Sequence, residues 1–133
     1  GKGSLVEALK QQPALSVDFL GYDPAVPEYK VKPTCDVDML VTTDVLEHVH
    51  EEELSGVFGE MLAFNPQIMY HVVCCAKART ILPDGTNAHK TVEGPCWWLI
   101  HLISEFDDYE VEMLGYNSSG PVKHNAAFLC LKR

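Results

Sequence analysis

The sequence predicts an open α/β fold: a mostly parallel sheet that ends in an antiparallel strand. Three observations carry that expectation. Residues 38–43 (Asp-Met-Leu-Val-Thr-Thr) and 67–75 (Gln-Ile-Met-Tyr-His-Val-Val-Cys-Cys) are apolar runs of strand length, as in parallel strands covered on both faces. Between them Leu54, Val57, Phe58, Met61 and Leu62 recur at i, i+3, i+4, i+7 and i+8, the core stripe of a helix. Past them, residues 109–116 set Val111 and Met113 against Glu110 and Glu112, and an apolar strand returns over 126–131. That alternation is the mark of an antiparallel strand with one wet face.

Taken in order, residues 4–10 (Ser-Leu-Val-Glu-Ala-Leu-Lys) place Leu5, Ala8 and Leu9 on one helical face. Gly1 and Gly3 stand directly before that helix, like the end of a turn that cradles phosphate or nucleotide; a chance pair is the plain alternative. Residues 16–23 (Ser-Val-Asp-Phe-Leu-Gly-Tyr-Asp) read as a strand stopped by Pro24. Asp23 follows Gly3 by 20 residues, the spacing at which an acid receives ribose hydroxyls, although an Asp before Pro also forms turns. Pro27 and Pro33 make residues 25–35 a loop with at most a short strand near 29–31. Glu51, Glu52 and Glu53 load the first turn of the next helix, where carboxylates complement the dipole, and Asn65-Pro66 ends it. Residues 76–94 form a long connection without periodicity, the kind that is functional or disordered. Pro95 then starts a helix over 96–106 with Leu99, Leu102, Ile103 and Phe106 inward. Of Trp97 and Trp98 at its head, one belongs to the core and the other to the mouth of a site.

The bulk numbers narrow the function. A chain of 133 residues has the length of one domain and buries roughly two-thirds of its unfolded surface. No apolar run approaches the roughly 20 residues of a membrane span, and no secretory signal pattern opens the chain. A net charge of −9 argues against binding nucleic acid, whose affinity comes from Lys and Arg. Five cysteines, an odd number with Cys74 and Cys75 adjacent, read as free thiols in a reducing compartment. The expectation is a cytoplasmic domain whose partner is a small molecule, with no nucleic acid and no membrane.

Residues 44–49 (Asp-Val-Leu-Glu-His-Val) carry the chemistry. Ligands of open α/β sheets sit beyond the carboxyl ends of the strands, so Asp44, Glu47 and His48 are a candidate floor for a site. Asp-x-x-Glu is also a helix capping box, and both readings stand. His48 and His50 are two apart and share no helical face; with no ligand cluster at recognisable spacing, no metal site is predicted. His48 and His89 are the available bases, with titration near pH 7. Lys77, Arg79 and Lys90 lie in the long connection with Asn87 and suggest an anionic acceptor, or simply a solvated loop.

These residues resemble the class I S-adenosylmethionine-dependent methyltransferases. Gly1-Lys2-Gly3-Ser4-Leu5 looks like the tail of the family's first motif, Tyr22-Asp23 like its ribose-binding acid, and residues 38–49 like its fourth-strand motif. The closing helix, strand and return strand resemble its C-terminal end, where the last strand is antiparallel. The resemblance implies a Rossmann-like sheet and S-adenosylmethionine as cofactor, held by Gly1, Gly3, Asp23, Asp44, Val45, Leu46 and Glu47. It implies methyl transfer to a small-molecule acceptor bound by Lys77, Arg79, Asn87, Lys90 and Trp98, with His48 and His89 catalytic. Three departures qualify it. Val6 stands where a dinucleotide fingerprint has its third glycine, which disfavours a nicotinamide dehydrogenase. The family's third strand is short or missing. Its first strand is absent altogether, so residues 1–133 are expected to form one N-terminally truncated domain. The strands around Leu20 and Leu40 then pair directly, another chain fills the gap, or the cofactor site is crippled. A non-catalytic remnant or assembly subunit is the alternative function, and the unpaired strand edges predict a homodimer.

Overall fold

A computed structural model describes residues 4–12, 16–119 and 124–133 of the chain. The chain divides into two compact units, Gly1–Cys35 and Asp36–Arg133.

The first unit holds one helix, α1 (Ser4–Lys10), and an irregular segment. The strand expected over 16–23 does not form; these residues have no regular structure. Val17 and Leu20, two of its apolar residues, are 61% and 58% exposed, so the run has no core to face. The segment folds locally instead. Asp23, Val26 and Tyr29 exchange backbone hydrogen bonds, with Asp23 N–H donating to the Tyr29 carbonyl (3.0 Å) and Tyr29 N–H to that of Val26 (2.9 Å). A Cβ at Gly21 would lie 2.8 Å from Tyr29 Cδ1, so a side chain there would have to displace the Tyr29 ring. The short strand near 29–31 is absent too.

The second unit matches the sequence closely. Four strands form one sheet in the order β1-β2-β4-β3: β1 (Met39–Thr43), β2 (Ile68–Cys74), β3 (Tyr109–Asn117) and β4 (Asn125–Lys132). β1 and β2 are parallel, Met39 opposite Ile68 through Thr43 opposite Val72. β4 runs antiparallel to both neighbours, entering between β2 and β3. Three strands therefore point one way and the C-terminal strand points the other, as expected. A parallel pair needs a crossover, which here is α2 (Leu54–Leu62). The three glutamates that precede it form a 3-10 turn (Glu51–Glu53) rather than the first α-helical turn. Asn65, at φ 52°, and Pro66 stop the chain from continuing as a helix. α3 (Pro95–Glu105) opens on Pro95, whose missing N–H is no loss in a first turn.

Both helices cover the same face of the sheet. Leu54, Phe58 and Met61 of α2 and Trp98 and Leu102 of α3 bury against Met69 and Val73 of β2 and Ala126, Phe128 and Cys130 of β4. Each large side chain so buried contributes about 1.5–3 kcal/mol. Tyr109 joins this core and donates its hydroxyl to the Pro66 carbonyl at 2.6 Å. The apolar run of β2 predicted burial on both faces, but burial alternates: Met69, His71 and Val73 are buried, Tyr70 and Val72 only partly. A run of apolar residues reports strand length well and two-sided burial poorly, because Tyr and Val also serve a half-covered face.

Candidate functional site

β1 ends in a backbone conformation that few residues accept. Asp44 has φ 58°, in the left-handed region that Asp tolerates, and its N–H closes the β1–β2 ladder on the Val72 carbonyl (3.1 Å). The turn throws the chain into a 3-10 turn, Leu46–His48. Leu46 drops wholly into the core, Glu47 is wholly buried, and Asp44, Val45 and His48 stay exposed.

No capping box forms. The residue before the 3-10 turn is Val45, which makes no side-chain cap. Glu47 reaches across the strand ends instead, and its Oε1 accepts the Cys74 N–H at 2.8 Å at the end of β2. Its Oε2 is buried with no partner. Burial pushes the Glu47 carboxyl above the ordinary range and the nearby Asp44 carboxylate adds to this, while the Cys74 N–H pulls the other way.

The connection after β2 folds back over this turn. Its tip is a tight turn in which Gly85 takes φ 82° and Asp84 Oδ1 accepts both the N–H (2.9 Å) and hydroxyl (2.8 Å) of Thr86. Asp-Gly between short extended segments was a readable turn signal that the absence of periodicity obscured. Asn87 pins the two arms: its Oδ1 accepts from Ala78 N–H and His89 N–H (both 3.0 Å), and its Nδ2 donates to the Ala78 carbonyl (2.9 Å). The connection then docks on the β1 turn. Lys90 and Thr91 N–H donate to the Glu47 carbonyl at 2.7 and 3.1 Å, and Thr91 Oγ1 donates to that of Val49 at 2.7 Å.

This docking brings His89 onto His48, 41 residues away in sequence, with ring centroids 4.8 Å apart and planes at 87°. His48 Nδ1 lies 2.9 Å from the Ala88 carbonyl and His89 Nδ1 2.6 Å from that of Ala76. A carbonyl only accepts, so each Nδ1 carries a hydrogen, and in the neutral ring the lone pair is then on Nε2. Ligand-type atoms of Asp44, His48 and His89 lie within 4.8 Å of one another, as do those of Glu47, Cys74 and His89. The sequence named His48 and His89 as candidate bases and predicted no metal site; the structure sets these two rings side by side. Cys74 is the member the sequence reading did not single out, and its place at the end of β2, parallel to β1, was the available signal.

The other expected residues are scattered. Trp98, expected to touch the acceptor, is fully buried in the core, because it is the fourth residue of α3 and faces the sheet. The partly buried Trp97 stacks on His101 (centroids 4.6 Å, planes 10° apart). Lys77 and Arg79 are exposed, and Lys90 Nζ donates to Thr86 Oγ1 at 2.5 Å. Asn87 is occupied in holding the connection together. Asp23 acts as a turn former, its Oδ1 accepting the Ala25 N–H at 3.0 Å, with no strand before it. Gly1 and Gly3 lie outside the described residues. No helix among the described residues is long and apolar enough to cross a membrane.

A parallel β1-α2-β2 crossover, a reversed last strand slotted between β2 and β3, and a polar cluster at the carboxyl ends of β1 and β2 together define a Rossmann-like α/β fold of the methyltransferase type. Among solved structures, the chain is similar to the complex of DhpI with SAH (TM-score 0.55, 13% identity, 77% of this chain and 50% of that one). It is also similar to the small RNA methyltransferase HEN1 (TM-score 0.52, 20% identity, 75% of this chain and 14% of that one). The chain thus spans half the length of the DhpI chain and a smaller part of HEN1. At these identities the likeness is one of fold. No protein-family model matches the sequence, and no curated protein matches it.

Proposed function

We propose that the chain is an S-adenosylmethionine-dependent methyltransferase acting on an anionic small molecule. The observation that carries this reading is the position of the cluster: Asp44, Glu47, His48, Cys74 and His89 all lie at or just beyond the carboxyl ends of the two parallel strands. That is where open α/β sheets place their ligands. The fold likeness to a protein in complex with SAH, the product left when S-adenosylmethionine gives up its methyl group, supports the same cofactor.

The turn after β1 suits that cofactor in part. Val45, 38% exposed, stands beside the exposed Asp44 carboxylate, so an apolar and an acceptor group are offered together to a nucleoside. Leu46 acts from beneath as a core anchor, and Glu47 braces the turn against β2. When bound, S-adenosylmethionine supplies an electrophilic methyl group on a sulfonium. The protein's own contribution is position: the connection over residues 76–94 is tied to the turn and leaves the lone pairs of His48 and His89 to take a proton from the acceptor. Lys77 and Arg79, exposed on the same connection, suit an acceptor with negative charge.

A second reading has an observation of its own. No strand forms over 16–23 to carry a ribose-binding acid, and β1 is an edge of the described sheet. A methyltransferase-like subunit that keeps the sheet without a complete cofactor pocket would look the same. Calorimetric titration with S-adenosylmethionine and SAH in a chelating buffer separates the two. Micromolar affinity, about −8 kcal/mol, is expected of the enzyme; absence of binding at millimolar ligand would leave only the subunit.

A further inference from the structure

We propose that Asp44, Glu47, His48 and His89 form a site for one divalent transition-metal ion of the Mn2+ to Zn2+ type, which holds the oxygen ligands of the acceptor. Four observations converge on it. The two triads of ligand-type atoms, Asp44–His48–His89 and Glu47–Cys74–His89, each span no more than 4.8 Å and share His89. Two donors on opposite sides of one ion, at about 2.1 Å each, lie about 4.2 Å apart, so each triad is close to the size of one coordination sphere, and His89 joins the two.

Both imidazoles are held as metal-ligating histidines usually are. Each Nδ1–H is spent on a backbone carbonyl, of Ala88 or Ala76, which fixes the ring and makes Nε2 the nitrogen that would bind an ion. Glu47 is wholly buried, and its Oε2 has no partner. A carboxylate oxygen cut off from water and left without a donor is costly unless a cation or proton meets it. Finally, among the described residues no Lys or Arg forms an ion pair with Asp44 or Glu47. Two carboxylates with two imidazoles make a mixed O and N set, which suits borderline divalent ions better than Ca2+.

The ion also removes a conflict in the site. An anionic acceptor approaching Asp44 and Glu47 is repelled by them, and the chain as a whole carries a net charge of −9. A divalent ion bound by both carboxylates reverses that local field and offers open positions to the acceptor's oxygens. Once they hold the ion, His48 and His89 are ligands and no longer bases. The role given to the ion rests on the methyl-transfer reading, whereas ion binding itself does not.

The test is a Mn2+ titration of the whole chain without S-adenosylmethionine, followed by loss of the free-ion electron paramagnetic resonance signal, with Zn2+ competition. One ion per chain at micromolar to tens-of-micromolar Mn2+ is expected, displaced by Zn2+. His48→Ala, at an exposed position that leaves the core intact, should weaken binding at least tenfold, and Glu47→Gln should do the same. His50→Ala, next to the cluster but outside it, should bind like the parent chain. A free-ion signal unchanged by the parent chain at millimolar Mn2+ would overturn the proposal. So would His48→Ala binding as tightly as the parent, whether or not Glu47→Gln folds. Mn2+ binding with no S-adenosylmethionine binding would keep the metal site and remove the cofactor reading; the reverse result would do the opposite.

Discussion

His71 gives the most quantitative prediction. It sits in the middle of β2, wholly buried, with Nδ1 2.8 Å from Thr42 Oγ1 and the ring stacked on Phe106 (centroids 6.0 Å). Its Nε2 has no partner. Burial pushes its pKa from the ordinary 6.5 down to about 4, so the folded chain holds the ring neutral while the unfolded chain protonates it below 6.5. The stability linked to this group is therefore complete above pH 6.5 and is lost as pH falls toward 4. At 1.36 kcal/mol per pH unit, the loss is about 3 kcal/mol, with about 2.5 kcal/mol gone by pH 4.5. The variant that isolates it is Thr42→Val with His71→Leu, which replaces both hydrogen-bonding partners by apolar groups of similar size and should cost little at pH 7.5. Urea unfolding of both chains at pH 7.5, 6.0, 5.0 and 4.5 should show the parent losing about 2.5 kcal/mol more than the variant. Glu47 works in the opposite sense: its raised carboxyl adds stability at low pH that is lost as pH rises through its folded value. Both chains carry it, so it cancels in the difference. Parallel loss of stability in the two chains would refute the assignment of the pH dependence to His71.

Three further outcomes follow from named contacts. Trp98→Ala should destabilise the chain by about 3–5 kcal/mol in chemical unfolding, as expected of a core aromatic and not of a residue at a site mouth; a loss below 1 kcal/mol would return it to the surface. Asn87→Ala removes three hydrogen bonds that join the arms of the connection, so amide exchange at Ala78 and His89 should accelerate while the amides of β2 and β4 keep their protection. Iodoacetamide at pH 8 should label the exposed Cys35 and Cys96 first and Cys130 only on unfolding, since burial pushes the Cys130 thiol up to about 12; early modification of Cys130, read by peptide mass, would contradict the packing of β4.

The second unit was legible because each of its elements carries its own period. The α2 stripe, the run in β2 and the alternation in β3 are local patterns, and the helix and strands formed within a residue or two of where those patterns place them. Residues 16–23 carried a local pattern too, but a strand is made by its partners, and Val17 and Leu20 found none. Trp97 and Trp98 show a finer limit. Adjacent positions on a helix point about 100° apart, and composition does not say which of two tryptophans turns inward. The cluster was half legible: Asp44, Glu47 and His48 stand together in the sequence, but a backbone hydrogen bond from Lys90 to the Glu47 carbonyl is what delivers His89.

Glu47 connects the fold to its chemistry. Its carbonyl receives Lys90 and Thr91, its Oε1 receives Cys74, and its Oε2 is buried without a hydrogen-bond partner. One residue thereby fixes the turn after β1, the end of β2 and the returning connection, the three pieces that place Asp44, His48 and His89. A purely structural role would be met by a group that satisfies both oxygens, and a capping box would have used the carboxylate within its own turn. A buried carboxylate satisfied on one side only is costly to keep. A proton on the raised Glu47 carboxyl, shared with Asp44, or a bound cation would meet that open side.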